Sequence, residues 1–176
     1  MERTLERREF LKILGLAGAG VFLATSPWLS AFAQVDATSG EKVRIGVIGP
    51  GSRGQFLMNF LLKNPKAEIA ALCDVYQPSI DAALKMVPDA AVYHDYRKLL
   101  EDRSIDAVII ATPLDRHYQM AMDSLDAGKA VFCEKAICYE LSQCHDVYRK
   151  FRSGRNIMFI GQQRLFDDRR GLDVLG

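Results

Sequence analysis

Val43-Arg44-Ile45-Gly46-Val47-Ile48-Gly49-Pro50-Gly51-Ser52-Arg53-Gly54 decides the fold of this chain. Val43 to Ile48 is a short apolar, β-branched run, consistent with a buried parallel strand. It leads straight into Gly49-Pro50-Gly51-Ser52-Arg53-Gly54, a G-x-G-x-x-G spacing. Beyond it Phe56, Leu57, Phe60 and Leu61 recur at helical intervals until Asn64-Pro65 ends the run. The glycine spacing alone is a weak signal; between a strand and a helix it acquires a mechanical meaning. Gly49 permits the tight turn, Gly51 lets the backbone approach a pyrophosphate, and Gly54 lets helix and strand pack closely. The helix N-terminus then offers free N–H groups and a partial positive charge to phosphate. Ser52 adds a hydroxyl and Arg53 a charge. The competing reading is a glycine-rich turn with no ligand.

Outward from this segment, strand-like and helix-like stretches alternate. Ile69 to Cys73 reads as a second strand, Ala91 to Tyr93 as a brief third, Ala107 to Ala111 as a fourth, Ala130 to Cys133 as a fifth and Ile157 to Ile160 as a sixth. Helical stretches fall at Pro78 to Met86, Asp95 to Glu101, Asp115 to Ala127 with Gly128 as its stop, and Leu141 to Phe151. This rhythm implies an α/β fold: a Rossmann-type, doubly wound parallel sheet with order 3-2-1-4-5-6, covered on both faces.

Asp74 follows the second strand, 20 residues after Gly54. A carboxylate there accepts hydrogen bonds from the ribose hydroxyls of NAD and repels a 2′-phosphate. Arg53 pulls the other way, so NADP stays possible beside NAD. A helix-capping or surface Asp is the plain alternative. Thr112-Pro113 ends the fourth strand at the edge where ligands sit in such folds. His117, four residues past Pro113, either faces the cofactor or is a solvated first-turn residue. Glu134-Lys135 follows the fifth strand at the same edge. A lysine there is suited to holding a substrate hydroxyl or assisting proton transfer; by position alone a surface Glu-Lys pair is the stronger reading. His94 and His145 read as ordinary strand-end and helix-surface residues.

The composition is that of an ordinary globular protein, with 49% hydrophobic and 26% charged residues. The first 33 residues hold four basic and three acidic side chains, leaving 19 of each, so the remainder is formally neutral. No basic patch suggests a nucleic-acid partner. Cys73, Cys133, Cys138 and Cys144 show no metal-ligand spacing, and no metal is expected. A disulfide between Cys138 and Cys144 stays open in an oxidising compartment, but free thiols are the expectation. At the N-terminus, Arg7-Arg8-Glu9-Phe10-Leu11-Lys12 precedes a mildly apolar stretch from Ile13 to Ala33 that ends in Ala31-Phe32-Ala33. The pattern resembles a twin-arginine signal with a signal-peptidase site after Ala33; an uncleaved membrane anchor is the alternative. Export makes the twin-arginine translocase a partner and the location periplasmic or extracytoplasmic. Residues 34–42 read as a linker.

Arg44 to Gly51, Cys73-Asp74-Val75-Tyr76, Ala111-Thr112-Pro113 with His117, Gly128 to Lys135, and Gly161-Gln162-Gln163-Arg164 together resemble the family of glucose–fructose oxidoreductase, inositol dehydrogenase and rhizopine-catabolism oxidoreductases, the Gfo/Idh/MocA family. The resemblance covers about residues 43–166 and makes this span an NAD(P)-binding Rossmann domain. It implies Lys135 as the active-site lysine, Glu134 as its support, and Thr112, Pro113 and His117 beside the nicotinamide. It implies hydride transfer at a hydroxyl of a sugar or cyclitol. Some relatives instead use bound NAD to cleave glycosidic bonds, and a non-catalytic binding module is a further alternative. Two departures stand out. Ala136 occupies the place of the family's proline, whose bond to lysine is often cis, so a trans bond is expected here. The chain ends at Gly176, where the family continues into a second α/β domain that supplies substrate contacts and often an oligomer interface. Residues 167–176 accordingly read as a truncated or divergent tail. The expectation is a chain that binds cofactor and turns over no sugar by itself.

Overall fold

The computed structural model describes residues 42–153 and 157–161. The leader at 1–33 and the tail at 167–176 lie outside them. Six parallel strands form one sheet in the order β3-β2-β1-β4-β5-β6. The strands are β1 (Val43–Ile48), β2 (Ala67–Cys73), β3 (Ala91–Tyr93), β4 (Ala107–Ile110), β5 (Ala130–Glu134) and β6 (Met158–Gly161). The intervening helices are α1 (Ser52–Leu61), α2 (Gln77–Leu84), α3 (Tyr96–Glu101), α4 (Leu114–Asp126) and α5 (Leu141–Ser153). Order and class are those expected from the alternation.

Strand alternation sends successive side chains to opposite faces, so a sheet covered on both sides builds two cores. On one face Ile45, Val47, Ile109 and Phe132 pack with Leu57, Met58 and Leu61 of α1 and Ala83 of α2. On the other, Ile48, Val108, Ile110 and Val131 pack with Leu99 of α3, Ala121 and Leu125 of α4 and Val147 of α5. Burying one such aliphatic side chain contributes about 1.5–3 kcal/mol.

Several boundaries differ from the sequence expectation. Strand β2 starts at Ala67, two residues before the apolar run, because Ala67 and Glu68 pair with Val43 and Arg44 of β1. The Arg44 guanidinium holds the Glu68 carboxylate there, so a polar residue extends the strand. Strand β5 runs one residue further, to Glu134, which pairs with Gly161. Helix α4 ends where expected, with Gly128 in the left-handed region at φ 72°. Cys138 and Cys144 form a disulfide, the pairing left open by their spacing and not the free thiols expected; the loop before α5 brings their Cα atoms to 6.0 Å, within bridging range. The Lys135–Ala136 bond is cis, not trans as the loss of proline suggests.

Lys129 has a structural part that its sequence position does not announce. It is buried, and its ammonium donates to the carbonyls of Asp102 and Ile105 at 2.7 and 2.8 Å. This satisfies the carbonyls at the turn into β4, and burial lowers the lysine below its ordinary basicity.

Candidate dinucleotide site at the strand ends

Parallel pairing aligns Cys73, Ile48, Ile110, Cys133 and Ile160 as one row across the sheet. Asp74, Gly49, Ala111, Glu134 and Gly161 each lie one residue beyond that row. The sheet thus places the residues picked from sequence along a single C-terminal edge. From Asp74 to Glu134 the edge spans three strand spacings, about 14 Å, the reach of an extended dinucleotide.

The phosphate loop sits in the middle. Gly49 adopts φ +84°, and a Cβ there would lie 2.9 Å from the Ala111 backbone. A Cβ on Gly54 would lie 2.3 Å from the Gly49 carbonyl oxygen, so helix α1 and the loop touch backbone to backbone. Gly51 differs: a Cβ there would meet nothing within 4 Å. No atom of the described residues explains that glycine, whereas a pyrophosphate drawn against the α1 N-terminus does. The first turn of α1 carries no acidic residue and no side chain caps it, which leaves its N–H groups to an anion. Ser52 is exposed at the first helical position. The residues present therefore fit a bound dinucleotide.

Asp74 lies at one end of the edge. Its Oδ1 accepts the Tyr76 N–H at 3.0 Å, and its carbonyl oxygen meets His94 Nδ1 at 3.1 Å. The Tyr76 bond holds the carboxylate, and Oδ2 has no protein partner among the described residues. Cys73 beside it is buried, and burial together with the Asp74 charge pushes its thiol up to about 12, so it stays a thiol. At the other end Cys133 is likewise buried, with its thiol pushed up by burial. Lys135 is exposed, with its main-chain N–H 3.4 Å from Glu134 Oε2.

Two residues are placed otherwise than their sequence positions suggest. His117 is not a solvated first-turn residue: it is 1% exposed. Its Nδ1 lies 2.9 Å from the Ala136 carbonyl oxygen and its Nε2 2.8 Å from that of Thr112. Both ring nitrogens thus face main-chain carbonyl oxygens, and the ring sits between the segment after β4 and the segment after β5. Thr112 Oγ1 is turned toward Met120 Sδ at 3.6 Å, while Pro113 caps the start of α4. Arg53 does not extend alone from the loop. Its Nε and Nη2 lie 2.7 and 2.6 Å from Glu134 Oε1, and its guanidinium lies 4.9 Å from the Phe56 ring centre. Among the described residues no group of His, Cys, Asp and Glu is arranged to hold a metal.

Known proteins share this arrangement. The oxidoreductase family with an NAD-binding Rossmann fold, Gfo/Idh/MocA, matches residues 43–162. A glycosyl hydrolase family 109 protein of Stenotrophomonas maltophilia is 35% identical over 156 residues, covering 82% of this chain and 33% of that protein. An alpha-N-acetylgalactosaminidase of Shewanella oneidensis is 33% identical over 166 residues, covering 81% of this chain and 36% of that protein. The chain therefore spans about a third of the length of these relatives. The scyllo-inositol dehydrogenase of Lactobacillus casei, solved with NAD(H) and scyllo-inositol, superimposes with a TM-score of 0.69 at 28% identity, covering 77% of this chain and 41% of that one.

Proposed function

The chain belongs to the Gfo/Idh/MocA oxidoreductase family, with an NAD-binding Rossmann fold, and from that premise we propose that it is the cofactor domain of an exported enzyme acting at a ring carbon of a sugar or cyclitol. The observation that carries this is the strand-end row, with Asp74 at one end, the open cradle at Gly51 in the middle and Glu134-Lys135 at the other end. NAD supplies, when bound, a two-electron acceptor that takes hydride from a carbinol carbon and is able to return it. Asp74 holds the adenosine ribose, and the N–H groups opening α1 hold the pyrophosphate. Lys135 Nζ holds the reacting hydroxyl and takes its proton as the carbon is oxidised, the ordinary task of a positioned base. His117 keeps the Thr112 and Ala136 segments in register beside it.

Two overall outcomes share these parts. In one, the hydride stays on the cofactor and the enzyme is a dehydrogenase, the reading that sequence motifs put first. In the other, the hydride returns and a glycosidic bond is cleaved without net redox change. The named relatives at 33–35% identity are glycosidases, which supports the second; the likeness to an inositol dehydrogenase at 28% identity supports the first. We favour the glycosidase. The Cys138–Cys144 disulfide supports export, since such bonds persist in oxidising compartments.

The test is product analysis on the protein isolated from its native cells, with NAD+ and panels of nitrophenyl glycosides and free cyclitols. Nitrophenol release without accumulating NADH is expected. NADH formed one-for-one with an oxidised cyclitol would establish the dehydrogenase. NAD+ binding with neither product would leave a binding module and end the catalytic reading.

A further inference from the structure

We propose that Arg53 is a positioning residue that couples the two halves of the dinucleotide cleft through Glu134, and is not itself a phosphate ligand. The proposal rests on the placement of Lys135 given above. In a doubly wound sheet, β1 to β3 and β4 to β6 each bind one half of a dinucleotide, and the cleft lies where strand order reverses. Arg53 belongs to the first half, at the second position of α1. Its guanidinium crosses the edge of β4 and reaches Glu134 at the end of β5, in the second half, with two nitrogens on one carboxylate oxygen. No other ion pair among the described residues joins the phosphate loop to the Glu134-Lys135 segment.

The surroundings fix this bridge from both sides. The Glu134 side chain is only 8% exposed, so its charge requires a cation close by. Charge-assisted pairs to guanidinium are the strong kind. The guanidinium lies over the Phe56 ring. On the far side Gly161 leaves room for the carboxylate: a Cβ there would come within 3.2 Å of Glu134 Oε1 and 2.9 Å of Phe132. The second carboxylate oxygen faces the N–H of Lys135. The carboxylate's position therefore bears on the peptide that carries Lys135. Occupancy of the α1 N-terminus and the orientation of Lys135 are thus linked through one ion pair, and linkage of this kind acts in both directions. The same commitment keeps Arg53 from serving a 2′-phosphate, which favours NAD over NADP.

The experiment compares NAD+ with ADP, which carries the adenosine and both phosphates and stops short of the second half-site. Calorimetric titrations are run on the 176-residue chain, on Arg53→Met, Arg53→Lys, Glu134→Gln and on the double variant Arg53→Met/Glu134→Gln. Arg53→Met is expected to weaken NAD+ about tenfold, the scale of a lost charged hydrogen bond, and ADP by less than about twofold. Arg53→Lys should recover most of the difference. The double variant should be no weaker toward NAD+ than the poorer single variant, the signature of residues acting through each other. ADP binding by each variant serves as the check of folding. Equal losses for ADP and NAD+ would make Arg53 a phosphate ligand and overturn the proposal; additive losses in the double variant would overturn it as well. Neither ligand is a glycoside or a cyclitol, so failure here leaves the product analysis to decide the catalytic reading by itself.

Discussion

Gly51 and Gly54 lie three residues apart at the start of α1, yet a methyl group added at each should do opposite things. At Gly51 the backbone has φ −68° and ψ −163°, which alanine adopts freely, and the new Cβ meets no protein atom within 4 Å. Losing glycine at this N-cap costs on the order of 0.5 kcal/mol. The stiffer unfolded chain returns about 0.4–1 kcal/mol. Gly51→Ala should therefore melt within about 3 °C of wild type. The methyl group does stand where the pyrophosphate has to lie against the α1 N–H groups. Losing charged hydrogen bonds there costs about 1.5–3 kcal/mol, so NAD+ should bind roughly tenfold to a hundredfold more weakly. At Gly54 the Cβ falls 2.3 Å from the Gly49 carbonyl oxygen, a backbone atom that cannot rotate away. Overpacking of this kind costs about 1–3 kcal/mol, and Gly54→Ala should melt several degrees lower before any ligand is added. The assay pairs thermal denaturation by circular dichroism with calorimetric titration of NAD+. A Gly51→Ala protein that binds NAD+ like wild type would refute the phosphate-loop argument. One that unfolds more readily than Gly54→Ala would refute the steric argument.

Asp74→Ala should weaken NAD+ about tenfold or more, since it removes a charged acceptor, and should leave NADP binding little changed; titration of both cofactors against both proteins checks this, and equal weakening removes the ribose role. Tyr96 donates to Asp123 at 2.6 Å, and burial, then this bond, push its phenol up to about 12 from an ordinary value of 10.0. The folded state thus holds that proton more tightly than the unfolded chain, so the contribution is complete below pH 10 and fades as pH rises toward about 12. Denaturant melts across that window should show Tyr96→Phe losing less stability with pH than wild type; parallel curves would contradict the assignment. For export, changing Arg7 and Arg8 to Lys should retain the protein in the cytoplasm, and mass spectrometry of the exported wild type should find Gln34 at its N-terminus. Undiminished export of the double variant would exclude the twin-arginine route.

The strand order was legible because one strand, one glycine loop and the right-handed crossover rule leave little freedom. Ala107 to Ile110 and Ala130 to Cys133 read as strands since they are apolar without interruption, as central parallel strands are. Glu68 and Glu134 escaped that reading because each is charged and joins its strand through an arginine, Arg44 and Arg53 respectively. Lys135 and Asp74 were found by their places after strands, which the chain order gives directly. The work of His117 was not legible: its carbonyl partners lie 5 and 19 residues away, and only the sheet brings them to one ring. Arg53 and Glu134 are separated by 81 residues, and nothing local to either announces the other. The Cys138–Cys144 bond depends on a loop path that spacing alone leaves open.

The placement of a dinucleotide across this edge is tested most directly by mapping amide chemical shifts in a 15N-labelled chain as NAD+ is added. The account predicts saturable changes at Gly51, Ser52 and Arg53, at Asp74, and at Thr112 and Lys135, with the turn at Arg103 and the α5 flank at Arg149 unmoved. Changes confined to those two places, or the absence of any change at Gly51 and Lys135 while NAD+ is bound, would contradict it.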